Sequence, residues 1–398
     1  MNYNYNLNYD NNAIEVTEKK KSDDVKFLMK LNFKNLRDKF SKRLKKVNKI
    51  NTPEKKRKVI AFDMGSTTIK IVEAMYYKNE LTIYKYLKIP TPKGAIVDGE
   101  IKKEEELYSK LKRTLKKNNI NAKYATCTTN STLIINREIQ IPKVESEEIE
   151  TVIRYEIQQY LPINLEDYIL QATFLGEEEV GGIEKLNIRV IAYPEKIARG
   201  YYNFLIKLEL KPYVLDVNYN AINKFINIAS KNSEFENETK ETVAFIDMGA
   251  SFIDVNIYKD GKLQFTRIIK DGGNDIDEIL IQNNGVNSDE LIEFKTKNVD
   301  LNEELNSFNV QIKEIVDDWM EKIEKIIQFY KNKNVGNDVN HIMIFGGSSK
   351  LNGMEAYMTE RLGISTQIKG ISKIAFKLSD NKDNDDYINA IGSVIRLD

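Results

Sequence analysis

From residue 59 onward, short apolar runs alternate with longer stretches in which apolar residues recur every three or four positions, the pattern of a mixed α/β chain. The short runs predict strands at 59–63, 69–76, 81–89, 131–141, 168–175, 185–193, 212–217, 243–248, 252–258, 263–270 and 341–346. The longer periodicity predicts helices at 102–118, 146–160, 195–209, 218–230, 274–283, 310–333 and 351–362. Polar stretches at 231–241, 284–309 and 378–386 read as linkers or insertions. The helix at 146–160 is well punctuated. Ser146 caps it, Glu147 and Glu148 suit its first turn, and Pro162 ends it. Its apolar face is Ile149, Val152, Ile153, Ile157 and Tyr160.

Before residue 59 the pattern changes. Residues 1–12 are low in complexity and are expected to be disordered. Over 25–50, Val25, Leu28, Leu36, Phe40, Leu44 and Val47 fall at helical spacing among many lysines, a basic amphipathic helix that Thr52-Pro53 would stop. Charge sharpens this division. The chain is neutral overall, yet residues 1–58 hold 17 Lys/Arg against 7 Asp/Glu. An anionic membrane surface fits that arm better than nucleic acid, because no base-reading or aromatic-interleaved pattern accompanies it. One cysteine, Cys127, and one histidine, His341, exclude a disulfide framework and a Cys/His metal site. No stretch reaches roughly 18 uninterrupted apolar residues, so a soluble or peripheral protein is expected.

Two stretches nearly repeat. "VIAFDMGSTTIK" (59–70) and "VAFIDMGASFIDV" (243–255) each read as an apolar strand, Asp-Met-Gly, small residues and a second strand. The first offers Asp63, Gly65, Ser66, Thr67 and Thr68; the second offers Asp247, Gly249, Ala250, Ser251 and Asp254. A glycine-bearing hairpin turn aims several N–H groups and hydroxyls at one point, which suits an anion. An aspartate at the strand end would not touch phosphate but would hold a water of a magnesium ion. Two such hairpins face to face would grip a triphosphate, and their spacing of about 180 residues suggests an internal duplication. A third segment, "HIMIFGGSSKLNGM" (341–354), is a strand, a Gly-Gly turn and a helix start that lets backbone approach a flat ring.

In this order the elements resemble the actin, heat-shock-70 and sugar-kinase superfamily, with the two hairpins as its phosphate motifs and Gly346, Gly347, Ser348 and Gly353 in its adenosine motif. "LDVNYNAI" (215–222) resembles its first connecting helix, with Asp216 at the acid position but Val217 where a proline is usual. "YINAIGSVI" (387–395) resembles the second connecting helix, where Ala390 and Gly392 would allow close crossing, and "DGGNDIDEIL" (271–280) resembles the segment opening a helix after the second phosphate sheet. More narrowly, residues 96–117, 139–170 and 189–217 resemble the PilM family of type IV pilus assembly, a relative of the FtsA division proteins.

The resemblance implies an actin-like (ribonuclease H-like) two-lobed ATPase fold, α/β, with duplicated mixed sheets. Its first lobe would span 59–132 and 193–230, a small inserted α+β subdomain 133–192, and the second lobe 231–398 with a helical insertion about 275–335. It implies ATP and Mg2+ as cofactors, metal held through water by Asp63 and Asp247 with Asp216 a further candidate, and turnover that is slow at most. It also implies a cytoplasmic scaffold at the inner membrane that holds the N-terminal tail of a PilN-like membrane protein, contacts pilus motor and platform proteins, and admits a homo-oligomer or ring. Ile149, Val152, Ile153 and Ile157 would wall the partner groove. Two other readings compete. An FtsA-like filament protein usually ends in a membrane helix, and this sequence stops at "IRLD". A small-molecule kinase needs a base aspartate, for which only Asp216 offers itself. His341 is expected to be structural.

Overall fold

Val59 to Phe62 form an unbroken apolar run, as expected of a strand covered on both faces. β1 (Lys58–Met64) is buried from its second residue onward. The computed structural model of the chain describes residues 9–10, 13–14, 56–145, 148–160, 163–229, 241–287, 290–302, 307–368 and 385–396. The amphipathic pattern at 25–50, the Ser146 cap with Glu147, the Pro162 stop and most of the 231–241 linker lie outside the described residues.

In the first lobe β1 turns back into β2 (Thr68–Tyr77) and then β3 (Glu80–Pro90), an antiparallel meander. Helix α1 (Glu104–Lys117) leads into β4 (Tyr124–Thr129), which lies parallel to β1. The chain then leaves the lobe. β5 (Ile135–Pro142), α2 (Ile149–Tyr160), β6 (Tyr168–Val180) and β7 (Ile183–Pro194) build a separate module, its sheet ordered β6-β7-β5. Ile149, Ile153 and Ile157 recur on one face of α2 and are buried with Ile141, Leu186 and Ile188 in a core of the module's own. Burying each such side chain is worth about 1.5–3 kcal/mol. Arg189 fastens the module to the second lobe, donating to the Leu263 carbonyl at 2.6 Å and pairing with Glu138. The path returns through α3 (Glu195–Lys207) to β8 (Lys211–Val217), parallel to β4, and completes a sheet ordered β8-β4-β1-β2-β3.

Helix α4 (Asn218–Ala229) carries the chain across. β9 (Thr242–Met248), β10 (Ile253–Lys259) and β11 (Lys262–Ile269) repeat the antiparallel meander. α5 (Gly273–Asn284), α6 (Leu291–Asn298) and the long α7 (Ser307–Lys333) follow. β12 (His341–Phe345) then lies parallel to β9, and beyond α8 (Met354–Leu362) β13 (Ser365–Gln367) joins parallel to β12. The second sheet runs β11-β10-β9-β12-β13, the same order and the same mix of directions as the first. The repeated phrase is therefore the visible part of a duplicated five-stranded unit.

Two helices cross between the units. α4 follows the first sheet and also packs on β11 of the second, and the Tyr258 hydroxyl of neighbouring β10 donates to the Tyr219 carbonyl at 2.8 Å. α9 (Ile388–Val394) follows the second sheet but packs on β1, β2 and β4 of the first. They cross at Gly392, where a Cβ would stand 2.0 Å from the Ala221 carbonyl oxygen. That approach leaves room for a hydrogen and nothing larger.

Candidate functional site

The two hairpin turns meet. Each aspartate ends its strand one residue before the last, and each faces position +7 across the hairpin: Asp63 opposite Lys70, Asp247 opposite Asp254. At the turn tips the Ser66 and Ser251 hydroxyls are 2.7 Å apart. Asn274, at the start of α5, donates to Ser251 at 2.9 Å and accepts from Thr67 at 3.5 Å. A third turn joins them, as Ser348 donates to the Gly249 carbonyl at 3.1 Å.

Between the lobes these turns line one cavity of about 290 Å3. Gly65, Ser66, Thr67, Thr68, Gly249, Ala250 and Ser251 all face it, as do Asp63, Asp247, Gly347 and Ser348. Two of the four residues expected at the adenosine, Gly346 and Gly353, lie elsewhere. Gly346 sits behind Asp247 at a φ of 96°, and a Cβ there would fall 2.5 Å from the carboxylate. Gly353 starts α8 against Asn302.

The structure corrects two expectations. Asp216 is not in the cavity wall. It is buried against α4, accepting from the Val217 N–H at 2.9 Å and Asn220 at 2.7 Å, with buried Lys224 as its ion-pair partner. Lys224 is pulled below the usual lysine value by burial, with Asp216 opposing. Asp216 thus anchors the start of α4 behind the cavity and away from Asp63 and Asp247. The partner-groove residues are the second correction. Ile149, Ile153 and Ile157 face inward into the module core and Val152 is half-buried against it, so they do not form an open wall. The outer face of α2 instead shows Tyr155 and Tyr160.

Other residues enter that the sequence pattern did not single out. Lys70 binds Asp63 at 3.0 Å; burial works against its charge, but Asp63 and Asp247 outweigh that and raise its pKa. Asn389 on α9 donates to Asp247 at 2.8 Å. Asn130, after β4, donates to Asp254 at 2.5 Å across the lobes. The seven-residue offset from each Asp-Met-Gly aspartate was the available signal for Lys70. His341 pairs with Glu241 and does not line the cavity.

Electrostatically the cavity is short of positive charge. Its wall holds six aspartates against four lysines. Burial pushes Asp247 up to about 6, Lys70 and Asn389 opposing and Asp63 adding repulsion. Burial, then the Asp247 charge, pushes Asp254 up to about 8 against the Asn130 hydrogen bond. Among the described residues no three His, Cys, Asp or Glu side chains are placed to hold a metal directly. A cation brought with phosphate and waters fits this donor set, because oxygen ligands and uncompensated carboxylates are what magnesium prefers.

The raised pKa values fix a sign. Both acids bind a proton more tightly folded than unfolded, so their contribution is complete below about 3.8 and is lost as pH rises through about 6 and then 8. Without added ligand, the melting temperature should fall by roughly 5 °C between pH 5 and pH 8.5, and Asp254→Asn should flatten the upper part of that slope. Thermal melts of both proteins across that range check it.

Duplicated sheets, crossed helices and a cleft lined by both hairpins define an actin-like two-lobed protein. The chain belongs to the family of the type IV pilus assembly protein PilM, whose sequence model it matches over residues 61–390. Among solved structures it is similar to the PilM-PilN type IV pilus biogenesis complex, at 20% identity and a TM-score of 0.71, covering 85% of this chain and 99% of that one. It is also similar to ethanolamine utilization protein EutJ from Carboxydothermus hydrogenoformans, at 12% identity and a TM-score of 0.50, covering 92% of this chain and 100% of that one.

Proposed function

We propose that this protein is the cytoplasmic nucleotide-binding scaffold of a type IV pilus assembly machine. MgATP sits between the lobes, and the module built on α2 holds the N-terminal tail of a PilN-like inner-membrane protein. One observation carries the nucleotide half: both Asp-Met-Gly hairpins and the Gly347–Ser348 turn line the same cavity. The turn hydroxyls and N–H groups would take the phosphates, and Gly347 and Ser348 would lie beside the nucleoside. Asp63 and Asp247 would each hold a water of the magnesium ion, which when bound offsets phosphate charge in a wall already rich in aspartate. Lys70 would hold Asp63 in place from the neighbouring strand.

The partner half is supported by the similarity to the PilM-PilN complex and by the module's separate core. With its isoleucines turned inward, the module offers the outer face of α2 and the edges of its three-stranded sheet, where an extended peptide adds by main-chain hydrogen bonds. The basic arm before residue 59 would bring the scaffold to the anionic inner face of the membrane.

Calorimetric titration of the full chain with MgATP should give a micromolar Kd, about −8 kcal/mol. A synthetic peptide of the PilN-like tail should bind the same protein. No heat with MgATP removes the nucleotide half; no peptide binding with or without MgATP removes the scaffold half.

A further inference from the structure

Every lysine in the cavity wall is held by an aspartate. Lys70 is on Asp63, Lys295 on Asp277 at 2.5 Å, and both Lys88 and Lys350 are on Asp386. Asp386 is unlike the others. Lys88 comes from β3 of the first lobe and meets its Oδ2 at 2.9 Å; Lys350 comes from the turn after β12 of the second lobe and meets its Oδ1 at 3.0 Å. One carboxylate thus joins the two lobes, and its side chain is only 9% exposed while the lysines are 40% and 43% exposed. Lys88 also stands directly opposite Lys70 in the β2–β3 pairing, so the two point to the same face.

Two ammonium groups converging on one oxyanion from opposite walls would hold a phosphate equally well, since each is a compact donor that any oxyanion satisfies. We propose that Asp386 is a built-in competitor for ligand phosphate: it takes Lys88 and Lys350 in the ligand-free protein, and polyphosphate binding exchanges it for phosphate oxygens. The inference rests on the nucleotide reading above and adds a regulatory contact to it. Asp386 lies in the short turn 385–387 that runs straight into α9, and Asn389, three residues on, holds Asp247. Exchange at Asp386 therefore acts on the helix that supports the opposite hairpin.

Asp386→Asn removes the competing charge and leaves both lysines. In the full chain it should bind MgATP and inorganic tripolyphosphate at least tenfold more tightly than wild type in calorimetry. Lys350→Met, in the wild-type background, should weaken tripolyphosphate binding about tenfold, and Asp386→Asn added to it should restore little. Unchanged or weaker binding by a folded Asp386→Asn protein overturns the proposal, because a carboxylate that merely positions the lysines predicts that result. If Asp386→Asn does not fold, undiminished tripolyphosphate binding by Lys350→Met overturns it. A wild-type protein with no affinity for MgATP would instead remove the nucleotide reading itself.

Discussion

Gly392→Ala is expected to destabilise the protein by about 3 kcal/mol or more, a large part of a typical folding free energy. A helix interior normally prefers alanine to glycine by about 1 kcal/mol, so propensity alone argues for the opposite sign. Geometry decides. The added Cβ would stand 2.0 Å from the Ala221 carbonyl oxygen, 2.5 Å from its carbon and 3.0 Å from its Cα. These are backbone atoms of α4, which is itself buried along most of its length and cannot rotate aside. The helices must part, and α9 also carries Asn389 to Asp247 and Ser393 to Thr126 at 2.8 Å. Gly200 in α3 supplies the control, because nothing lies within 4 Å of a Cβ there. Gly200→Ala should stabilise by about 0.5–1 kcal/mol. Urea unfolding of the two variants beside wild type reads both effects. Equal stability of Gly392→Ala and wild type would mean that the helices do not cross so closely.

Asp63→Ala and Gly249→Val should each weaken MgATP binding at least 100-fold, about 2.7 kcal/mol, while the protein stays folded. Asp63 is one of the two carboxylates placed to hold a metal-bound water, and its loss leaves Lys70 still attracted by Asp247. Gly249 forms the joint of three segments. Its carbonyl accepts from Gly273 at 3.0 Å and Ser348 at 3.1 Å, and its own Cβ would fall 2.8 Å from the Phe252 carbonyl oxygen. Calorimetry gives the affinity, and the rise in melting temperature on adding MgATP should vanish in both variants. Unchanged affinity in both would end the nucleotide reading.

The sequence made the hairpins legible because apolar strands bracket glycine turns, and β1–β2 and β9–β10 follow that pattern. It hid β4, "YATCTT", which the strand forecast omitted although it is buried beside β1. Three threonines made it read as polar. In the fold two of their hydroxyls are spent internally, Thr126 on Ser393 and Thr128 on Asn218, and only tertiary structure reveals those partners. α6 is hidden inside the stretch 284–309, which reads as a linker because the helix's anchors, Leu291 and Phe294, are too few for a clear period. The ring of lysines and aspartates around the cavity was hidden more deeply. Lys88, Lys350 and Asp386 lie far apart in the chain, and no local pattern marks residues that converge only when two lobes close. For α2 the periodicity was sound, but it cannot say whether an apolar face meets its own sheet or a visitor.

The exchange of helices between lobes has a consequence for biosynthesis. Ile388, Ala390, Ile391, Val394 and Ile395 complete the same core as Val59 to Phe62, more than 300 residues earlier. As the polypeptide emerges from the ribosome, the first sheet must wait, one side uncovered, until those residues have been translated. A nascent chain halted before residue 388 should engage holdase chaperones and be cut readily by protease, and protection should appear once residues 388–395 have emerged and docked.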